Sequence, residues 1–88
     1  MKYYVPHSPE WFTALEFINP AQAAGTRKIL ELAGDPGVCS VCGDSPAKDY
    51  EVVGVSFGAG VSATIRLCGD CKGIRETMHG ESFRELSA

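Results

Sequence analysis

Two hydrophobic periods follow one another along this chain. In the first third, Trp11, Phe12, Leu15 and Ile18 recur at helical spacing, with Ser8 placed to cap the first turn and Pro9 at the first helical position. A short helix is therefore predicted over residues 8 to 18. Asn19 and Pro20 repeat the same start signal, and a second helix is expected to run to about Ala33. Its inward face would be Ala21, Gly25, Ile29 and Leu32, with Arg27, Lys28 and Glu31 outside and Gly34 as the stop. Asp35-Pro36-Gly37 then turns the chain.

Further on, the period changes to alternation. YEVVGVSF and VSATIRL, separated by Gly58-Ala59-Gly60, read as a β-hairpin. A three-residue loop with Gly60 left-handed sets Phe57 opposite Val61, Val55 opposite Ala63 and Val53 opposite Ile65, so that every inward pair is apolar. Ser62, Thr64 and Arg66 would then face out, whereas a two-residue loop would set Phe57 against Ser62. A third helix is predicted over about Gly69 to His79, with Cys71, Ile74 and Met78 on one face and Gly80 as its stop. The expected core is Val53, Val55, Phe57, Ile65, Leu67, Ile74 and Met78.

The pattern thus predicts a small α+β domain: an N-terminal helical segment, residues 1–37, and a finger-like unit, residues 38–88, together forming one folded unit. A chain of 88 residues buries only about 60 to 65% of its unfolded surface, so a staple is expected. Four cysteines offer one. Cys39 and Cys42 form one CxxC pair, and Cys68 and Cys71 repeat the spacing 26 positions beyond Cys42. No secretory leader or membrane-length apolar run is evident, which places the protein in the cytoplasm, where paired CxxC motifs are metal ligands or redox centres more often than disulfides.

The chemistry of both halves suits deprotonated sulfur. Gly43, directly after the first pair, lets backbone amides turn toward the sulfurs, and the second pair opens a helix whose positive end favours thiolate. One Zn2+ bound tetrahedrally by Cys39, Cys42, Cys68 and Cys71 is the leading expectation, and such a site supplies on the order of 10 kcal/mol of apparent folding free energy. Iron in the same cage, as a rubredoxin-like electron carrier, is the competing occupant; a thiol-disulfide exchange site would need only one reactive pair.

The order CxxC turn, hairpin, then a helix carrying the second CxxC resembles the treble-clef class of zinc finger over residues 38 to 80. Within it, CSVCGDS and IRLCGDC resemble the four-cysteine zinc-binding domain at the N-terminus of ClpX-type unfoldases. That resemblance implies dimerisation and the holding of adaptors and substrates. A second resemblance, to the first zinc finger of nuclear receptors, rests on Val41 to Asp44, Tyr50, Val52, Cys68, Cys71, Lys72, Gly73 and Arg75, and implies nucleic-acid binding. The hairpin here is longer than in either family, and no second finger or Phe-Phe-Arg-Arg run follows the CKG.

Charge changes the picture for partners. Formal net charge is −3, and four thiolates around one divalent metal add about −2, which disfavours a generic hold on nucleic acid. Lys72, Arg75 and His79 nevertheless form a basic stripe on the third helix, and Lys72 and Arg75 are its candidate nucleic-acid contacts. Trp11, Phe12 and Phe17 are candidates for a surface that meets a protein partner or a second copy. His7 and His79 read as surface histidines, because four cysteines already complete a closed site. No paired base and nucleophile, phosphate loop or open metal position points to an enzyme.

Overall fold

A computed structural model of the chain describes residues 2 to 86. Along the chain lie β1 (Lys2–Tyr3), α1 (Pro9–Ile18), α2 (Pro20–Ala33), β2 (Ala47–Gly58), β3 (Val61–Cys68), α3 (Gly69–Met78) and β4 (Phe83–Glu85). Both N-terminal helices start where their caps are legible. The Ser8 hydroxyl accepts the Trp11 amide at 3.2 Å, and the Asn19 side-chain carbonyl accepts the Gln22 amide at 3.1 Å. α2 ends at Gly34, which is left-handed with φ +69°.

The inward face of α2 differs from the expected one. Ala23 and Thr26 are buried and Ile29 and Leu30 half-buried, while Ala21, Gly25 and Leu32 are exposed. Hydrophobic periodicity missed this because the helix is anchored by a polar side chain: the Thr26 hydroxyl donates to the Ser40 carbonyl at 3.0 Å.

The four strands form one sheet in the order β1-β3-β2-β4, with β1 parallel to β3 and β2 antiparallel to both β3 and β4. β1 and β4 are two and three residues long, too short for alternation to announce them.

The β2–β3 hairpin corrects the predicted register. Its turn is two residues, Ala59 and Gly60, at φ +53° and +76°, and Gly58 pairs with Val61. Phe57 is bulged, so Ser56 still faces Ser62, as the longer loop would have required. A second irregularity sets Val52, Val53, Gly54 and Val55 against Ala63, and beyond it Tyr50, not Val53, lies opposite Ile65. This three-residue slip is odd in number and therefore exchanges the faces of the strand. Tyr50 and Val52 are buried, and Val53 and Val55 are half exposed to solvent. Gly54, at φ +81°, supplies the left-handed residue that the irregularity needs. β4 locks the result by pairing Val52 with Phe83, whose ring meets Tyr50 edge-on.

Two apolar clusters form the core. One gathers Cys39, Tyr50, Val52, Ala63, Ile65, Leu67 and Cys68, and the other Trp11, Phe12, Leu15 and Ala23, with half-buried Phe57 touching both. Of the expected core, Ile65 and Leu67 are buried and Phe57 bridges; Val53, Val55, Ile74 and Met78 are exposed. α3 buries none of its residues.

The outer edge of β3 explains why the N-terminal segment matters. β1 covers it at Val61 and Ser62. Next, the Trp11 indole N–H donates to the Thr64 carbonyl at 2.7 Å, and the Thr64 hydroxyl donates to the Tyr4 carbonyl at 2.8 Å. Finally the Ser40 amide donates to the Arg66 carbonyl at 2.7 Å. An edge that would otherwise offer unpaired backbone is closed by three different segments. Among the described residues no helix is long and apolar enough to cross a membrane.

Candidate metal centre

The first cysteine pair sits in a tight turn between α2 and β2. Within it the Cys39 amide donates to the Asp44 carbonyl at 2.9 Å, the Gly43 amide to the Cys39 carbonyl at 3.1 Å, and the Val41 amide to the Cys39 sulfur at 3.4 Å. The last contact is the amide-to-sulfur geometry that Gly43 was expected to permit.

Gly43 itself is left-handed at φ +80°, and a methyl group there would stand 3.1 Å from Ile29 Cγ2. Gly43→Ala is expected to cost about 1 to 2 kcal/mol from backbone strain alone, read as a lower urea midpoint of the metal-loaded protein. An unchanged midpoint would mean that the turn does not need this conformation.

The second pair is positioned by a change of element. Cys68 is the last residue of β3 and the N-cap of α3, and its sulfur accepts the Cys71 amide at 3.5 Å, the place a serine or aspartate oxygen usually takes. One residue thereby ends the strand, starts the helix and aims a ligand.

All four sulfurs lie within 4.8 Å of one another, and Cys42 and Cys68 are 3.5 Å apart. Tetrahedral zinc at about 2.3 Å from each sulfur requires edges of roughly 3.8 Å, so the cluster already has nearly that size. Cys39 and Cys68 are buried, Cys71 is half-buried and Cys42 is exposed. The donor set is four soft thiols with no carboxylate or imidazole among them.

The electrostatics follow from crowding. Burial raises the Cys39 thiol, but amide hydrogen bonds from Cys68, Cys42 and Val41 outweigh it and bring the pKa down to about 7. Burial pushes Cys42 up to about 11, and burial together with the neighbouring sulfurs pushes Cys71 well above the thiol range. One negative charge is welcome and further ones repel. A divalent cation held there would remove that repulsion, so its binding would expel the remaining thiol protons and strengthen as pH rises.

The basic stripe of α3 is engaged internally. Lys72 pairs with Glu76 at 3.0 Å and stands over the Tyr50 ring; the Glu76 hydrogen bond raises its pKa. Arg75 is gripped by both oxygens of Glu81, at 2.6 and 2.8 Å. His79 caps the C-terminus of α3, its amide donating to the Arg75 carbonyl at 3.1 Å.

The aromatic candidates divide. Trp11 and Phe12 are 1% and 6% exposed, so they are core residues and not a partner surface. Their large apolar area is spent on the protein's own sheet, with the Arg27 guanidinium over the Phe12 ring at 4.3 Å. Phe17 is 86% exposed and remains open to solvent.

His7, expected at the surface, is instead half-buried, with Nδ1 2.6 Å from the Pro36 carbonyl and Nε2 2.6 Å from the Ser40 hydroxyl. Burial lowers its pKa, and the Arg66 charge adds to that effect. Arg66 in turn donates to the Pro36 carbonyl at 2.6 Å and pairs with Asp49 at 2.6 Å. Their partners are 17 to 33 positions away, so no local pattern announces them. In comparisons with known protein families, with curated proteins and with solved structures, the chain finds no match.

Proposed function

We propose that this chain is a non-catalytic zinc-binding module that serves protein–protein interaction, with one structural Zn2+ held by Cys39, Cys42, Cys68 and Cys71. The observation that carries the reading is the closed set of four sulfurs at nearly the dimensions of a zinc tetrahedron. A turn with one cysteine pair, a hairpin and a helix opened by the second pair support the treble-clef description of residues 38 to 80. Four protein ligands leave no coordination position for a substrate, which is the arrangement of structural rather than catalytic zinc.

Charge pairing favours a protein partner over nucleic acid. Arg27, Lys48, Arg66, Lys72, Arg75 and Arg84 each face a carboxylate of the same chain, so a phosphate backbone would have to compete with existing partners. Phe17, Ile74 and Met78 supply exposed apolar area instead.

The test is an affinity capture with the zinc-loaded full chain from the lysate of cells that express it, split into nuclease-treated and untreated halves. Capture of a defined protein that survives nuclease and weakens with Phe17→Ala or Ile74→Ala supports the reading. Recovery that collapses with nuclease, and with the double change Lys72→Gln and Arg75→Gln, overturns it in favour of a nucleic-acid finger.

A further inference from the structure

We propose that the N-terminal segment braces the metal centre, and that His7 is a positioning residue acting on the Cys39 and Cys42 ligands through Ser40. The inference rests on the metal-binding reading of the four cysteines and adds to it a residue outside the finger.

Ser40 lies between the two ligands of the first pair and is fully buried. All of its polar groups are taken. Its amide donates to the Arg66 carbonyl at 2.7 Å, its carbonyl accepts the Thr26 hydroxyl at 3.0 Å, and its hydroxyl oxygen accepts the Arg66 amide at 3.2 Å. The fourth contact, to His7 Nε2 at 2.6 Å, has its direction set by elimination. The Pro36 carbonyl can only accept, so the proton of a neutral His7 ring sits on Nδ1. Nε2 then carries a lone pair, and the Ser40 hydroxyl must donate to it.

The other hydrogen bonds of the cysteine turn close the turn on itself: Cys39 to Asp44, Gly43 to Cys39, and Val41 to the Cys39 sulfur. The sulfurs of this turn also meet the second pair, through the Cys68 amide on the Cys39 sulfur and the contact between the Cys42 and Cys68 sulfurs, but among the described residues the hydrogen bonds that tie the backbone of residues 39–43 to α2 and β3 are those of Ser40. The directions of both ligand side chains depend on the backbone at this residue. His7 therefore sits at the end of a lever whose other end carries two sulfurs.

The backbone at His7 points the same way. Its φ is +73°, a left-handed conformation that a residue with a side chain holds only when its surroundings over-determine it. The surroundings here are the Pro36 carbonyl, the Ser40 hydroxyl and the Trp11 and Phe12 rings, at 5.3 and 6.2 Å between centroids. Losing an outer-shell partner of a metal ligand typically weakens metal binding by about 10- to 100-fold, because the ligands must then be ordered at the moment of binding.

The experiment uses the full chain and two metals. Zn2+ affinity is measured by competition with a chromophoric chelator, and ligand geometry by the visible absorption of the Co2+ form. His7→Gly removes the ring while relieving the left-handed backbone, and Leu15→Val lowers stability in the other core cluster without touching the cysteine turn. The brace predicts that His7→Gly weakens Zn2+ binding by about 10-fold or more and alters the Co2+ spectrum, with Leu15→Val leaving both near wild type. It also predicts that Ser40→Ala costs less in the His7→Gly background than in the wild type, since the His7 connection is then already cut and only the Arg66 amide contact remains to be lost. Affinity of His7→Gly within about twofold of wild type, far below the outer-shell range, overturns the brace; so does an equal loss in Leu15→Val. Should the wild-type chain bind neither metal, the metal reading itself fails, and the brace with it.

Discussion

Removing the metal from the loaded protein at neutral pH should release α3 from the sheet. This helix buries none of its residues, and Ile74 and Met78, which the sequence pattern assigned to the core, are 55% and 75% exposed. In the proposed metal-loaded form it would be held by the cage, through Cys71 on its first turn and Cys68 as both cap and ligand. The Lys72–Glu76 pair lies within the helix, and Lys72 over the Tyr50 ring and Arg75 over the Phe83 ring, at 5.4 and 5.9 Å, add only weak cation–π contacts. A helix of ten residues is too short to persist alone in water. Structural zinc contributes about 10 to 16 kcal/mol of apparent free energy in small fingers, far more than the Arg75–Glu81 contact can replace. Hydrogen exchange should show amides of Gly69–Met78 protected in the zinc form and unprotected after chelation, with Cys71→Ser reproducing the chelated pattern. Acid acts in the same direction as chelator, because the ligands must be deprotonated to hold the ion, so protection fades as pH falls below neutrality. Full protection of α3 in metal-free protein would deny the site its structural role.

Trp11→Ala is expected to be the most damaging single change outside the cage. The ring is 1% exposed in the second core cluster, and emptying such a site costs about 3 to 5 kcal/mol. The substitution also removes the indole donor from the Thr64 carbonyl on the edge of β3, leaving a buried acceptor unpaired at a further cost of about 1 to 3 kcal/mol. Together these approach the whole stability of an ordinary domain, about 5 to 15 kcal/mol. Trp11→Phe separates the two parts, since it keeps most of the apolar ring and loses the donor. Urea unfolding of the zinc-loaded variants should place Trp11→Ala lowest, Trp11→Phe between it and wild type, and Phe17→Ala within about 0.5 kcal/mol of wild type. Equal midpoints for Trp11→Ala and Phe17→Ala would mean that the N-terminal segment does not stabilise the sheet.

Trp11 and Phe17 also illustrate why composition misleads. Both lie on a helix more apolar than one stripe requires, and a sequence reading groups them as one surface. The structure assigns them opposite environments because β3 needs an edge partner at Thr64, and the indole of Trp11 carries a donor as well as apolar area. Phe17 has no such donor and points away.

The hairpin carries a parallel lesson. Val53, Val55 and Phe57 do alternate, yet only Phe57 stays packed on the core, and beyond the irregularity the strand turns its other face inward. β4, too short to be seen in the sequence, pairs with Tyr50 to Val52 and offers Phe83 to the Tyr50 ring. Burying Tyr50 and Val52 places the larger residue in the core, and Gly54 makes the necessary irregularity tolerable.

Features decided within a few residues of one another were legible in the sequence: the caps at Ser8 and Asn19, the stops at left-handed Gly34 and, one residue past the His79 cap, Gly80, the existence of the hairpin, and the four clustered cysteines with their spacing. Each follows from backbone stereochemistry or ligand preference, which act over one turn of chain. Which face of α2 and β2 is buried, where the short edge strands lie, and how His7, Thr26 and Arg66 converge on Ser40 were settled only by tertiary structure. Those outcomes depend on hydrogen-bond partners 14 to 33 positions apart, and a buried polar group takes whichever partner the folded chain brings to it.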